Sequence, residues 1–287
     1  MSRALAMLAV FAVVGVGVFA ALNWVSGGDD ESPTVVTATQ PEPLRRLRII
    51  FPEGFNVGEM AERVAAVRKI AIAKRDVTPR LTRAGYLGAV ERALPPPRFR
   101  ADVRRSSLEG FLFPASYEFT QETTARELVA DQLGAFRARF RGVDLAYARS
   151  KNLTLYDVLI IASMIEKETA VPRERRLVAA VIYNRLRNRM PLGIDASIRY
   201  GLGIPGTKSL TKEALRSTSP YNTRLRPGLP PTPIANPGLA SIRAAASPAR
   251  NVDYLYYVRK PRSLAHYFTA SETDFLRKVC DYGYACD

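Results

Sequence analysis

Ala4 to Val25 is a run of 22 residues in which Asn23 is the one strongly polar side chain, and it sets the topology open to everything after it. As a helix it would rise about 33 Å, enough to cross a hydrocarbon core of about 30 Å. A cleaved signal peptide would need a shorter apolar stretch and a small-residue cleavage site. No obvious cleavage motif interrupts this run, so a retained single-pass anchor is expected. Arg3 precedes the run and Asp29, Asp30 and Glu31 follow it, which orients the N-terminus toward the cytoplasm. Residues 26 to 287 are then expected outside the inner (cytoplasmic) membrane, on the periplasmic side, where neither nucleic acid nor ATP is available.

That placement decides what the charge means. The chain holds 42 Lys and Arg against 27 Asp and Glu, a formal net charge of +15. Nucleic acid, an acidic membrane surface and a negatively charged bacterial wall all suit such a balance. The compartment removes nucleic acid from the three. Two cysteines, Cys280 and Cys286, are too few for a zinc cluster or a disulfide framework, although they suit one small-loop disulfide or two terminal thiols. No metal and no cofactor are expected.

Residues 26 to 45 lack apolar periodicity and read as a flexible tether. Leu47 to Phe51 reads as a strand. Asn56 with Glu59 then forms a capping box for a short helix whose apolar stripe is Val57, Met60, Ala61 and Val64. Only short helices are expected in the basic, proline-broken residues 73 to 108. Glu109 to Phe119 is aromatic-rich. Thr124 with Glu127 caps a helix striped by Ala125, Leu128, Val129, Leu133 and Phe136, and Thr154 with Asp157 caps another from Leu155 to about Thr169. Pro172 suits the first turn of a helix reaching about Arg189. From Leu192 glycine and proline recur every few residues, predicting a loop-built region. Asp253 to Val258 predicts a strand, and Ser271 to Val279 a last helix.

Ile161-Ala162-Ser163-Met164-Ile165-Glu166-Lys167-Glu168-Thr169-Ala170 ends an apolar helix with two carboxylates. Glu168 lies three, four and seven residues after Ile165, Met164 and Ile161, so it shares their face and is partly desolvated. Burial and the negative helix end both disfavour its charge, and a carboxyl held protonated near neutral pH suits general acid catalysis of glycosidic cleavage. Alternatively both glutamates are solvated and pair with Lys167, Arg173 or Arg176.

Six further segments accompany that run in order: Val181-Ile182-Tyr183-Asn184-Arg185-Leu186, Asp195-Ala196-Ser197-Ile198-Arg199-Tyr200-Gly201, Ser219-Pro220-Tyr221-Asn222-Thr223, Gly228 to Ile234 with Asn236-Pro237-Gly238, Ala244 to Pro248, and His266-Tyr267-Phe268. Together they resemble the MltG-type (YceG-like) endolytic murein transglycosylases over roughly residues 45 to 279. Ile49 to Val64 resembles the family's LysM-like part, and Glu109 to Tyr117 its linking segment.

The resemblance implies an α+β fold: a transmembrane anchor (1–25), a tether (26–45), a small LysM-like α+β subdomain with a basic linker (46–108) and a larger mixed α/β catalytic domain with a loop-built cleft (109–287). It implies lytic cleavage of the bond between N-acetylmuramic acid and N-acetylglucosamine in peptidoglycan glycan strands. The products carry 1,6-anhydro ends, and the activity would terminate or trim nascent strands. Glu168 is the implied catalytic acid and base. Asp195, Ser197, Tyr200, Tyr221, Asn222 and Thr223 are candidates for lining the cleft, with turn chemistry the alternative for each. Glu109 is either a second cleft carboxylate or a buried turn carboxylate accepting backbone N–H groups. His266 suits packing at a strand end. Peptidoglycan synthases are implied partners. The competing readings are a non-catalytic glycan-binding scaffold tethered to the membrane and a hydrolytic muramidase with Glu109 or Asp195 as its water-activating base.

Overall fold

Alternation along Leu47-Arg48-Ile49-Ile50 buries Ile49 and exposes Arg48 and Ile50, and this short strand opens the described part of a computed structural model. The structure describes residues 45–103 and 107–284. The Ala4–Val25 run, nearly all of the tether and Cys286 lie outside them. No helix among the described residues is long and apolar enough to cross a membrane.

In chain order the elements are β1 (Leu47–Ile50), α1 (Val57–Arg75), α2 (Arg83–Arg92), β2 (Ser116–Phe119), α3 (Ala125–Phe140), α4 (Ala146–Ser150), α5 (Leu155–Glu168), α6 (Arg175–Arg187), α7 (Asp195–Leu202), α8 (Lys212–Leu215), α9 (Leu239–Ala246), β3 (Tyr256–Arg259), β4 (His266–Thr269) and α10 (Glu272–Asp281). The fold is α+β, with two antiparallel two-stranded sheets, β1 with β2 and β3 with β4. Residues Pro43–Asp287 form one unit, and its core runs continuously from Ile49 and Phe51 through the aromatics Phe99, Phe111 and Phe136 to α5, α6 and α9.

All three predicted capping boxes are present, at Asn56, Thr124 and Thr154. Each satisfies backbone N–H groups that the first helical turn leaves without partners. Helix α1 is longer than the stripe predicted: it continues to Arg75 and stops at Asp76, which takes a left-handed conformation at φ 51°. The aromatic-rich segment yields β2, whose Ser116 pairs with Ile50 and Phe119 with Leu47. Long-range pairing of this kind leaves no periodic signal over four residues. The region after Leu192 is mostly loop as expected, but it holds the eight-residue helices α7 and α9. Helix α5 is buried from Tyr156 to Ile165 on every face, so it is a central rather than an amphipathic helix.

Candidate active site

Helix α5 ends at Glu168, the candidate acid. The Glu168 side chain is half-buried, and its Oε2 accepts a 3.2 Å hydrogen bond from the Tyr257 hydroxyl on β3. Burial pushes its carboxyl up to about 7, opposed first by the Tyr257 hydrogen bond; Asp195 raises it further, and Arg224 and the Ala196 backbone N–H lower it. The last of these is a structural finding. Glu168 leaves the negative end of α5 and meets the positive first turn of α7, so the two helix ends act on it in opposite directions. The result is a carboxyl whose acid and ionised forms are both accessible near neutral pH.

Tyr257 has no signal in the sequence that separates it from its neighbours Tyr254 and Tyr256. Its position depends on the Tyr183-Asn184-Arg185 segment of α6. The Tyr183 hydroxyl donates to Ala245 O (2.7 Å), and the Asn184 amide donates to Val252 O and Tyr254 O (3.2 and 3.0 Å). Arg185 Nε donates to Leu255 O (2.6 Å), while its Nη1 reaches Pro191 O and Leu192 O (3.2 and 2.8 Å). One arginine therefore fixes the entry to β3 and the approach to α7 together, and these bring Tyr257 and Ala196 to the same carboxylate. Behind Tyr257, His266 packs edge-on at 5.4 Å, and its Nδ1 lies 2.8 Å from the buried Glu174 carboxylate. His266 thus holds the hairpin, as a strand-end packing residue would.

Glu166 points elsewhere. Its Oε2 accepts from Gly238 N at 3.0 Å and its Oε1 lies 3.9 Å from Arg175. Glu53 joins this group: burial and the Glu166 charge raise its pKa, and Arg175 opposes them. These carboxylates seat the Asn236-Pro237-Gly238 turn.

The other candidates separate by geometry. Asp195 pairs with Arg224 (2.7 Å) beside Glu168, with both side chains partly exposed. Tyr200 and Tyr221 pack edge to face at 5.2 Å; Tyr200 donates to Glu109 (3.2 Å), and Tyr221 shares a hydrogen bond with Thr232 (2.8 Å). Ser197, Asn222 and Thr223 are buried and bonded internally. Ser197 donates to Tyr221 O (2.7 Å), Thr223 Oγ1 accepts from Ile194 N (2.9 Å), and Asn222 donates to Leu215 O and Ser217 O (2.9 and 2.8 Å). They lock the loop onto α7, where Gly201 is required because a Cβ there would lie 2.6 Å from Tyr221 Cβ.

Glu109 is buried at the first turn of α1. It accepts from Val57 N (3.1 Å), Tyr200 Oη (3.2 Å) and Asn236 Nδ2 (2.8 Å). Burial pushes it up to about 8, with the Glu59 charge adding to the rise and the Val57 N–H, the Tyr200 hydroxyl and the Gly110 N–H opposing it. Asn236 also donates to Phe55 O (3.0 Å) and accepts from Leu112 N (2.9 Å), so one buried amide joins the β1–α1 loop, the Glu109 segment and the turn before α9. A cavity of about 540 Å³ opens along this seam, lined by Asn56, Glu59, Arg83, Lys167, Ala196 and Tyr200 among others; Ala196 is the residue whose backbone N–H meets the Glu168 carboxylate.

The YceG-like family matches residues 31–281, nearly the whole of the chain just described. The chain belongs to the YceG-like family. It is 33% identical over 264 residues to an endolytic murein transglycosylase of Streptococcus pneumoniae (strain ATCC BAA-255 / R6), covering 89% of this chain and 46% of that protein. It is 30% identical over 217 residues to an endolytic murein transglycosylase of Bacillus subtilis (strain 168), covering 74% and 59%. The chain thus spans about half the length of the curated relatives it matches. The crystal structure of a yceG-like protein from Listeria monocytogenes superposes with a TM-score of 0.63 at 27% identity, covering 80% of this chain and 75% of that one.

Proposed function

We propose that this YceG-like chain is an endolytic murein transglycosylase acting on peptidoglycan glycan strands, with Glu168 as its acid and base. The observation that carries the reading is the half-buried Glu168 carboxyl, held near pH 7 and hydrogen-bonded by Tyr257. In the first step Glu168 gives its proton to the oxygen bridging N-acetylmuramic acid C1 and N-acetylglucosamine, and the C1–O bond breaks with oxocarbenium character at C1. The carboxylate left behind is stabilised by the Tyr257 O–H and the Ala196 N–H. In the second step it takes the proton of the muramyl C6 hydroxyl as that oxygen closes on C1, leaving a 1,6-anhydro end and the original acid. An intramolecular nucleophile needs no second carboxylate.

Hydrolysis is the weaker reading on geometry. Its water-activating base would have to be Asp195, which is paired with Arg224, or Glu109, which is buried under three donors. Digestion of purified peptidoglycan followed by mass measurement tests the assignment. Anhydro ends are expected; ends heavier by one water would identify a muramidase, and intact glycan a binding scaffold.

The same reading assigns the β1–α1–α2–β2 part as LysM-like, supported by two helices between paired antiparallel strands. The strand β2 that pairs with β1 lies at Ser116–Phe119, beyond the 46–108 range read for this part from the sequence. Ala4 to Val25 is the inner-membrane anchor, with the rest of the chain periplasmic and peptidoglycan synthases as its neighbours. Membrane fractionation with N-terminal sequencing checks the anchor, and a soluble form beginning near residue 27 would refute it.

A further inference from the structure

One face of the small subdomain combines cations with exposed aliphatic surface. Arg45, Arg46, Arg48 and Arg75 line a cavity of about 900 Å³ between β1 and the second half of α1, with Val67 and Ile70 between them. Arg45 Nη1 donates to Arg75 O at 3.0 Å, which ties the two elements together. Glu118 also borders the cavity and is paired with Arg46 at 3.1 Å. Ile70 is 54% exposed and Ile50 is 52% exposed. Strand alternation puts Ile50 on the face of Arg48, and helical spacing puts the exposed Lys74 on the face of Ile70. A basic rim around protruding isoleucines fits the boundary between water and hydrocarbon better than it fits bulk water.

We propose that this face docks on the anionic phospholipid surface of the membrane that holds Ala4–Val25, an inference that rests on the anchor reading above. Arg45 follows Val25 by 20 positions. Twenty residues of chain span at most about 70 Å in any conformation, which limits how far the patch can lie from the end of that run. Docking would fix the height and orientation of the Glu168 cleft over the bilayer instead of leaving them to the tether.

The test uses residues 43–287, which carry the whole described core, sedimented with vesicles of equimolar phosphatidylglycerol and phosphatidylcholine or of phosphatidylcholine alone. The protein should bind the anionic vesicles only. The quadruple change Arg45→Gln, Arg46→Gln, Arg48→Gln, Arg75→Gln should weaken binding by roughly tenfold or more. A charge-matched control at the exposed Arg126, Arg173, Arg187 and Arg243, each to Gln, should stay within about twofold of the parent, since only groups close to the surface feel its potential. Ile70→Ser should weaken what binding remains at high salt. Circular dichroism confirms that all variants fold. Equal losses in both quadruple variants would reduce the effect to bulk charge and overturn the proposal, as would no vesicle binding at all. Loss of binding to isolated wall sacculi, with vesicle binding intact, would reassign the patch to wall polymer. Cleavage of soluble glycan fragments is measured in parallel: its absence in every variant would defeat the transglycosylase reading without touching the vesicle result.

Discussion

Glu168 and Glu166 are two residues apart and have different surroundings, and that difference is testable. Glu168→Gln keeps the size of the side chain and removes the proton that the proposed mechanism delivers to the leaving oxygen. General acid–base catalysis is commonly worth about 10² to 10⁴ in rate, and one residue serving both steps should lose the upper end of that range. Release of anhydro-muropeptides should collapse while circular dichroism is unchanged. Glu166→Gln should cost much less in rate, because Glu166 holds Gly238 N and faces Arg175. Tyr257→Phe removes one donor from the Glu168 carboxylate. A hydrogen bond to a charged group is worth about 1.5–3 kcal/mol, so a loss of roughly 10- to 100-fold in kcat is expected. The pH profile adds a sign: with Glu168 as the proposed acid, activity should fall as pH rises through about 7. Without the Tyr257 donor the ionised form is disfavoured further, so that falling limb should move to higher pH. A limb that stays in place would assign Tyr257 to packing alone.

Among the elements, the decisive joint is between the β1–α1 loop and the turn before α9, and Asn236 holds it. Asn236→Ala would leave Leu112 N without its acceptor and take one donor each from Phe55 O, which keeps the backbone N–H of residue 236, and from Glu109, which keeps Val57 N and Tyr200 Oη. One buried donor left unsatisfied costs about 1–3 kcal/mol and each of the two other lost hydrogen bonds about 0.5–1.5 kcal/mol, so a total of roughly 2–4 kcal/mol is expected after relaxation. For a chain of this size that is a fall of about 4–8 °C in Tm, measurable by calorimetry. The capping boxes and the segment after Pro172 were legible in the sequence because caps are local chemistry. The pairing of β1 with β2, and the role of Tyr183-Asn184-Arg185 in aligning β3 with α7, were not. Each joins residues about 70 positions apart in the chain, and no local pattern records which carbonyl a side chain will meet.

Across the whole molecule, the two raised carboxyls set how stability depends on pH. Glu168 and Glu109 are lifted from an ordinary 4.5 to about 7 and about 8. Between pH 4.5 and those values the folded chain holds protons that the unfolded chain has released. Stability therefore falls as pH rises through this window and levels off above about 8. Denaturant unfolding should show a higher midpoint near pH 5 than near pH 8. Glu109→Gln removes one titrating group, so its stability should fall less over the same span, even though one of its amide hydrogens now faces another donor and lowers stability at pH 5. An unchanged slope would mean that the three donors keep Glu109 ionised throughout.

The sequence by itself determined the caps, the apolar α5 ending in Glu166 and Glu168, the mixed α+β class and the family, since each rests on local spacing or on ordered short motifs. It marked Glu168 by register, and the structure places that residue where register put it, at the end of a buried helix. Tertiary structure alone decided which polar residues near it are available. Asp195 stays partly exposed in a pair with Arg224, whereas Ser197, Asn222 and Thr223 turn inward to lock α7 to its loop. Only the assembled fold could bring Tyr257 and the first turn of α7 to one carboxylate. The physical reason is that desolvation and hydrogen bonding depend on what surrounds a group in space, and those neighbours come from segments some 30 and 90 residues further along the chain.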